Sequence, residues 1–224
     1  MNEEQQHTFH GFDEDLDELR SVIADMGAHT VAAINRCVDV LLSGDMQLAE
    51  QVESEDRRID ELHNRVGRLA LRCLTRQQPV ARDLREILAC EHMSNELERS
   101  GDHARNIARR SRSLEMPLDP VPAAQIRWLS SRVTRMLEEV LLALREKDAD
   151  RAYRVRQADE SLDSLYHHLF DHLQQCIADG GAGVPHGSQM LLIAKSLERI
   201  GDHAASMAAD VLFVITGDPH RHSG

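Results

Sequence analysis

The chain has 224 residues, among them only four Phe, one Trp and two Tyr, and it carries 26 basic against 38 acidic side chains. Few aromatics with abundant Leu, Ala, Val, Ile, Arg and Glu suit helices packed on helices and argue against an aromatic-rich β fold. The net charge of −12 divides as −8 in residues 1–115 and −4 in residues 116–224, so neither half is basic. Nonspecific nucleic-acid binding is disfavoured, and an anionic membrane surface repels the chain.

Residues 1–12 read as a frayed N-terminus, and the polar, acidic start Met1-Asn2-Glu3-Glu4-Gln5 is unlike a signal peptide. A helical pattern begins at Asp13 through Leu16, Leu19, Val22, Ile23 and Met26, and continues through Ile34, Val38 and Leu41. Gly44 reads as its stop and Asp45 as the next N-cap. The second helix carries Leu48, Val52, Ile59, Leu62, Val66 and Leu69, and breaks at Gln77-Gln78-Pro79, with the proline placed in the first turn of the third helix. That helix runs from about Val80 to Ser113 through Leu84, Ile87, Met93, Leu97 and Ile107. The proline-rich segment from Met116 to Pro122 is the natural boundary between halves.

The second half repeats the plan. Its first helix carries Ile126, Leu129, Val133, Leu137 and Leu144, and turns at Lys147-Asp148. The next carries Val155, Leu162, Leu169 and Leu173. A glycine-rich loop is expected from Asp179 to Ser188, and the last helix from about Gln189 to Thr216, stopping at Gly217. The expected fold is all-α: two tandem antiparallel three-helix bundles, at 13–115 and 120–217, followed by a tail at 218–224. No run approaches the ~18 apolar residues of a membrane span. Cys37, Cys73, Cys90 and Cys176 lack C-x-x-C spacing and sit in apolar-periodic runs, as reduced core thiols of a cytoplasmic protein do.

The halves are tied together by an internal repeat. Leu97-Glu98-Arg99-Ser100-Gly101-Asp102-His103-Ala104 returns as Leu197-Glu198-Arg199-Ile200-Gly201-Asp202-His203-Ala204. Each copy sets a Glu and an Asp four residues apart on one helix face, where like charges repel by a few tenths of a kcal/mol. The preceding helix of each half carries a matching pair, Asp56/Asp60 and Asp159/Asp163. Asp60 precedes the turn at Gln78 by about as many residues as Glu98 follows it, so at ~1.5 Å per residue the pairs stand at similar heights on antiparallel helices. Asp163 and Glu198 bracket the second loop in a similar way. Four carboxylates can then line one groove in each bundle, an all-oxygen donor set suited to Mg²⁺, Mn²⁺ or iron. The competing reading is a solvated acidic face.

Neighbouring residues allow similar choices. Gly101 and Gly201, costly in mid-helix, imply close helix packing or room for an ion. Arg99 and Arg199 read as counter-charges to the adjacent carboxylates. His103 and His203 point about 100° away from the aspartates and read as packing or capping groups. His63 follows Asp60 by three and can add a nitrogen donor, but Tyr166 holds that place in the second half. Arg105, Arg109, Arg110 and Arg112 read as a solvated helix end or a docking patch for an acidic partner. Trp128 reads as a core or half-exposed anchor. A Gly-rich phosphate loop, a G-x-S-x-G elbow and an H-E-x-x-H motif are all missing from the sequence. Ferritin-like Glu-x-x-His is also missing here, since Gly101 and Gly201 stand three after the glutamates.

With its twin Leu-Glu-Arg-x-Gly-Asp-His-Ala segments on paired three-helix bundles, the chain resembles the PhoU family from about Asp15 to Gly217. The family's Glu/Asp-x-x-x-Asp metal motifs fall on Asp56/Asp60, Glu98/Asp102, Asp159/Asp163 and Glu198/Asp202. Asn106 fits the pattern too, whereas the second half has Ser206. The resemblance implies a cytoplasmic, dimeric, non-enzymatic negative regulator of the phosphate-starvation response. It implies an adaptor between the ATPase subunit of a phosphate ABC transporter and its sensor histidine kinase, which would reach the membrane only through those partners. Magnesium, manganese, iron or zinc is the metal implied. The alternative is a metal-storing or redox-active carboxylate-bridged bundle.

Overall fold

A computed structural model describes residues 3–76, 79, 81–114, 118, 120–178 and 184–218, with backbone only at 3–12, 46, 76, 184 and 185. Among them lie six helices and no strand: α1 (Glu3–Ser43), α2 (Met46–Arg76), α3 (Ala81–Ser111), α4 (Pro120–Glu146), α5 (Ala149–Ala178) and α6 (Val184–Thr216). Helices α1, α2 and α3 pack mutually as one antiparallel bundle, and α4, α5 and α6 as the second. Contacts of α3 with α6 and of α1 with α4 join the bundles. One continuous core results, running from Leu16 and Met26 through Ile59 and Leu97 to Leu162 and Leu197. The heptad-like stripes of each long helix supply its inward face, which is how 27- to 41-residue helices are held in water.

The breaks follow local chemistry. Gly44 closes α1 with a left-handed φ of 72° and donates its N–H to the Val40 carbonyl at 2.9 Å. Asp45 then caps α2, its Oδ1 accepting the Gln47 N–H at 2.9 Å. Asp148 caps α5 through the Arg151 N–H at 2.9 Å. The residue before it, Lys147, takes the left-handed turn at φ 55°, a conformation that costs a non-glycine residue roughly 1 kcal/mol. Gly217 ends α6 at φ 73°.

Several boundaries differ from expectation. Helix α1 begins at Glu3 rather than Asp13: residues 3–12 are helical, not frayed, because a nucleated helix propagates at little cost where no proline interrupts it. Met1, Asn2 and the tail beyond Asp218 lie outside the described residues. Pro79 precedes α3 instead of opening it; Gln77 and Gln78 are outside the description, as are residues 115–117 and 119. Helix α6 starts at Val184, so the expected loop to Ser188 is shorter, Pro185 being tolerated where the N–H needs no intrahelical partner. Residues 179–183 are again outside the description. Cys37, Cys73 and Cys90 are buried, but Cys176 is exposed near the end of α5. Trp128 is half-exposed under the Arg132 guanidinium, 5.3 Å from its ring centroid.

Two glycines set how closely the helices of each bundle approach. A Cβ on Gly101 would come within 2.9 Å of Ile59 Cδ1, and one on Gly201 would overlap Leu162 Cδ2. The close-packing reading of these glycines is therefore observed in both halves, with Ile59 and Leu162 as equivalent knobs. Leu162→Ala is expected to cost about 2–5 kcal/mol as a buried truncation, and Gly201→Ala about 1–3 kcal/mol as overpacking. Because the added methyl enters space that Leu162 vacates, the double variant should be less destabilised than the sum by about 1 kcal/mol. Denaturant unfolding of the four proteins measures this coupling; strict additivity would show that the two positions do not meet.

Candidate metal centre

The close approach at the glycines brings the carboxylates of neighbouring helices together. The position of a Gly101 Cβ lies 3.9 Å from Asp56 Oδ1, and that of a Gly201 Cβ lies 3.6 Å from Asp159 Oδ1. Each half thus faces an aspartate of its second helix onto the glycine of its third, with the motif carboxylates beside it. From there the two halves diverge.

In the second half, Asp163, Glu198 and Asp202 each offer an oxygen, and these atoms all lie within 4.8 Å of one another. Glu198 is 8 % exposed. Its Oε1 accepts from Lys195 Nζ at 2.5 Å, while its Oε2 is buried without a hydrogen-bond partner. Asp159 Oδ1 is likewise buried and unpartnered. Arg199 reaches Asp202 at 3.3 Å and Glu198 at 4.0 Å from the rim, as the counter-charge reading anticipates. Burial, with added repulsion from Asp163, Asp202 and Glu198, pushes the Asp159 carboxyl up to about 6. The residues fit a hard cation: the donors are all oxygen, those of Asp163, Glu198 and Asp202 converge within the reach of ~2.0–2.6 Å coordination bonds, and Glu198 Oε2, like Oδ1 of Asp159 outside that trio, lacks a hydrogen-bond donor.

In the first half, the four expected carboxylates share one neighbourhood too. Burial raises Asp60, helped by Asp56 and Asp102, and burial raises Glu98, helped by Asp102 and Asp60. Here, however, Arg105 enters the cluster, donating one guanidinium nitrogen to Asp56 of α2 and another to Asp102 of α3. Among the described residues no three first-half donors converge as Asp163, Glu198 and Asp202 do. Arg105 is therefore neither a solvated helix end nor a free docking group, because its stem carries the charge back across the groove between α2 and α3. Arg110 instead reaches Gln189 Oε1 at 3.1 Å and Arg112 reaches Glu53 at 3.3 Å.

Three histidines, His92, His103 and His203, lie at the joint between bundles, whereas His63 contacts its own bundle. His63 Nδ1 lies 3.2 Å from Ser94 Oγ, and Tyr166 in the equivalent place lies under Lys195, 5.1 Å from its ring centroid. His203 of α6 pairs with Glu96 of α3, and the His103 and His203 rings stand 5.7 Å apart. His92 bonds Asp210 Oδ2 at 2.6 Å and lies 3.3 Å from Glu96. Burial pulls His92 down, but its hydrogen bond to Asp210 and the nearby carboxylates outweigh that and hold it above its ordinary value. Burial and the neighbouring His203 hold His103 below it. Sequence periodicity gives no sign of this seam, whose partners across the bundles stand a hundred or more residues apart.

This is a duplicated helical scaffold with carboxylate clusters facing inward between paired helices. Known proteins place it. The family model for the PhoU domain matches twice, over residues 23–111 and 126–211. The chain is 36 % identical to the phosphate-specific transport system accessory protein PhoU homolog of Zymomonas mobilis, over 97 % of this chain and 93 % of that one. Its namesake from Pseudomonas aeruginosa is 32 % identical, over 97 % and 90 %. The crystal structure of PhoU from Pseudomonas aeruginosa superposes with a TM-score of 0.88 at 32 % identity, covering 92 % of this chain and all of that one. That of the phosphate transport system regulatory protein PhoU from Streptococcus pneumoniae gives 0.85 at 26 %, over 92 % and 98 %. The chain belongs to the PhoU family of phosphate transport regulators. No helix among the described residues is long and apolar enough to cross a membrane.

The raised Asp159 carboxyl has a thermodynamic consequence. An acid whose pKa is higher in the folded chain contributes stability that is present below its unfolded pKa and lost as pH rises through about 6. In metal-free protein with chelator, Asp159→Asn should raise the melting temperature at pH 7.5, by about 1 kcal/mol equivalent once solvent screening is allowed for. The gain should shrink as pH falls through 6 towards 4. A gain independent of pH would separate it from the ionisation of Asp159.

Proposed function

We propose that this protein is a non-enzymatic adaptor that represses the phosphate-starvation response by docking both the ATPase subunit of a phosphate ABC transporter and its sensor histidine kinase. It acts in the cytoplasm as a homodimer, and a cation held by Asp159, Asp163, Glu198 and Asp202 supports the docking-competent shape. The observation that carries this reading is the match to the PhoU family over both repeats, with relatives named as accessory proteins of the phosphate-specific transport system. Exposed Leu71, Leu74, Leu84, Leu88 and Leu192 supply apolar surface of the kind that protein partners cover. Magnesium, manganese, iron and zinc are the candidate metals, and the oxygen-only donor set favours the first three. The bound ion supplies positive charge. The chain's own carboxylates supply geometry, joining α5 to α6 across the Gly201 contact.

Deleting the gene should leave phosphate-starvation genes expressed in ample phosphate. Crosslinking in cells should recover the kinase or the transporter ATPase, and restoring the gene should restore repression. A deletion strain that represses normally, with no partner recovered, would overturn the adaptor reading. Reversible bleaching and recolouring of an iron-loaded sample with reductant and oxygen would instead favour the metal-storing or redox bundle.

A further inference from the structure

The two carboxylate clusters descend from one repeat but are not chemically equivalent. At the offset of 100 residues that relates the motifs, Arg105 corresponds to Ala205. The Arg105 guanidinium bonds Asp56 on α2 and Asp102 on α3, bridging the same helix pair that a shared cation would bridge. At position 205 the side chain is a methyl group, which brings no charge, and the second cluster keeps Glu198 Oε2 and Asp159 Oδ1 buried and without a hydrogen-bond donor. The Glu198 Oε2 atom is itself shielded from solvent, with Arg199 Nε no nearer than 4.0 Å, so the unpartnered oxygen is not simply solvated.

We propose that Arg105 is a built-in cation that fills the first-half cluster, so that the chain takes a metal ion in its second half only. This rests on the metal reading above and departs from the expectation that Asp56, Asp60, Glu98 and Asp102 form a second, equivalent metal site. A guanidinium is planar, permanently charged and offers donors to two carboxylates at once, so it neutralises the cluster and crosslinks the helices without an ion. To enter, a divalent ion would have to displace an arginine that already bridges two helices, whereas the cations at the second cluster, Lys195 on Glu198 and Arg199 on Asp202, each pair with a carboxylate of their own helix. The α2–α3 carboxylates are thus bridged at all metal concentrations, and the α5–α6 carboxylates are bridged only when metal binds.

Isothermal titration with Mn²⁺ on the full chain tests this, using the wild type, Arg105→Ala, Asp159→Asn/Asp202→Asn, the triple variant, and Ala205→Arg. The wild type should bind at one class of site that Asp159→Asn/Asp202→Asn abolishes and that Ala205→Arg weakens at least tenfold. Arg105→Ala should gain binding that survives in the triple variant. Hydrogen exchange gives a second readout: chelator should speed exchange in α5 and α6 and leave α2 and α3 unchanged, unless Arg105 is replaced. Circular dichroism confirms that each variant is folded, and if Arg105→Ala does not fold, Ala205→Arg and the wild-type exchange data decide alone. Mn²⁺ binding to the first half of the wild type would overturn the proposal while leaving the metal reading intact. An absence of binding in the wild type, with binding gained by Arg105→Ala, would overturn the second-half site but support the plug. No binding in any variant overturns both.

Discussion

Everything distinctive in this molecule depends on how closely two helices can approach at a glycine. Where α3 meets α2, and α6 meets α5, a missing Cβ lets an isoleucine or a leucine of the neighbour seat against the backbone. That contact fixes the register of the pair. It also brings an aspartate one helical turn from the knob residue, Asp56 or Asp159, over the motif carboxylates of the facing helix. Packing thus forces like charges together in a partly dry groove, where their repulsion is weakly screened. Positive charge in the groove, or protonation of some of the carboxyls, relieves that repulsion. Asp159, pushed up to about 6 by burial and its carboxylate neighbours against the opposing charge of Arg156, is displaced towards the second response.

Duplication supplied the same problem twice, and the two copies answer it differently. In the first half a single side chain three residues beyond the motif aspartate carries the counter-charge inward. In the second, Lys195 and Arg199 pair with Glu198 and Asp202 from the same helix and Arg156 acts on Asp159, while Glu198 Oε2 and Asp159 Oδ1 are left without a hydrogen-bond donor. On the proposal made above, the same scaffold holds one helix pair by covalently attached charge and leaves the other responsive to what is dissolved around it. Such division of labour needs no new fold. It needs one position, arginine in one copy and alanine in the other.

The sequence made the repeat, the all-helical plan and the heights of the paired carboxylates legible because each depends on local periodicity or on counting residues along a helix. The Gly44, Asp45, Lys147-Asp148 and Gly217 breaks were legible for the same reason: a cap or a left-handed residue announces itself within a few positions. The direction of Arg105 was not. From composition alone a basic run at a helix end looks solvated, and only comparison of the repeats at 105 and 205, with the i,i+3 spacing to Asp102, could have singled it out. The exposure of Cys176 and the early starts of α1 and α6 were obscured by patterns too weak to set a boundary. The seam of His92, Glu96, His203 and Asp210 was invisible because it joins chain segments from different halves, and its charges lie off the apolar stripe.

That seam gives the duplicated motif a second physical meaning. Asp202 and His203 are consecutive on α6, about 100° apart around the helix. One faces the carboxylate cluster shared with α5; the other pairs with Glu96 on α3 of the opposite bundle. Helix α3 is arranged alike, with Asp102 held by Arg105 and His103 beside His203. The two third helices are therefore the shared spine of the molecule. Each carries charge chemistry towards its own bundle on one face and towards the other bundle on the next. A rigid helix transmits a shift at one face to the other, since packed interiors do not absorb sub-ångström displacements locally. Charge balance at the α5–α6 cluster and the fit between bundles are thus carried by the same few turns of α6.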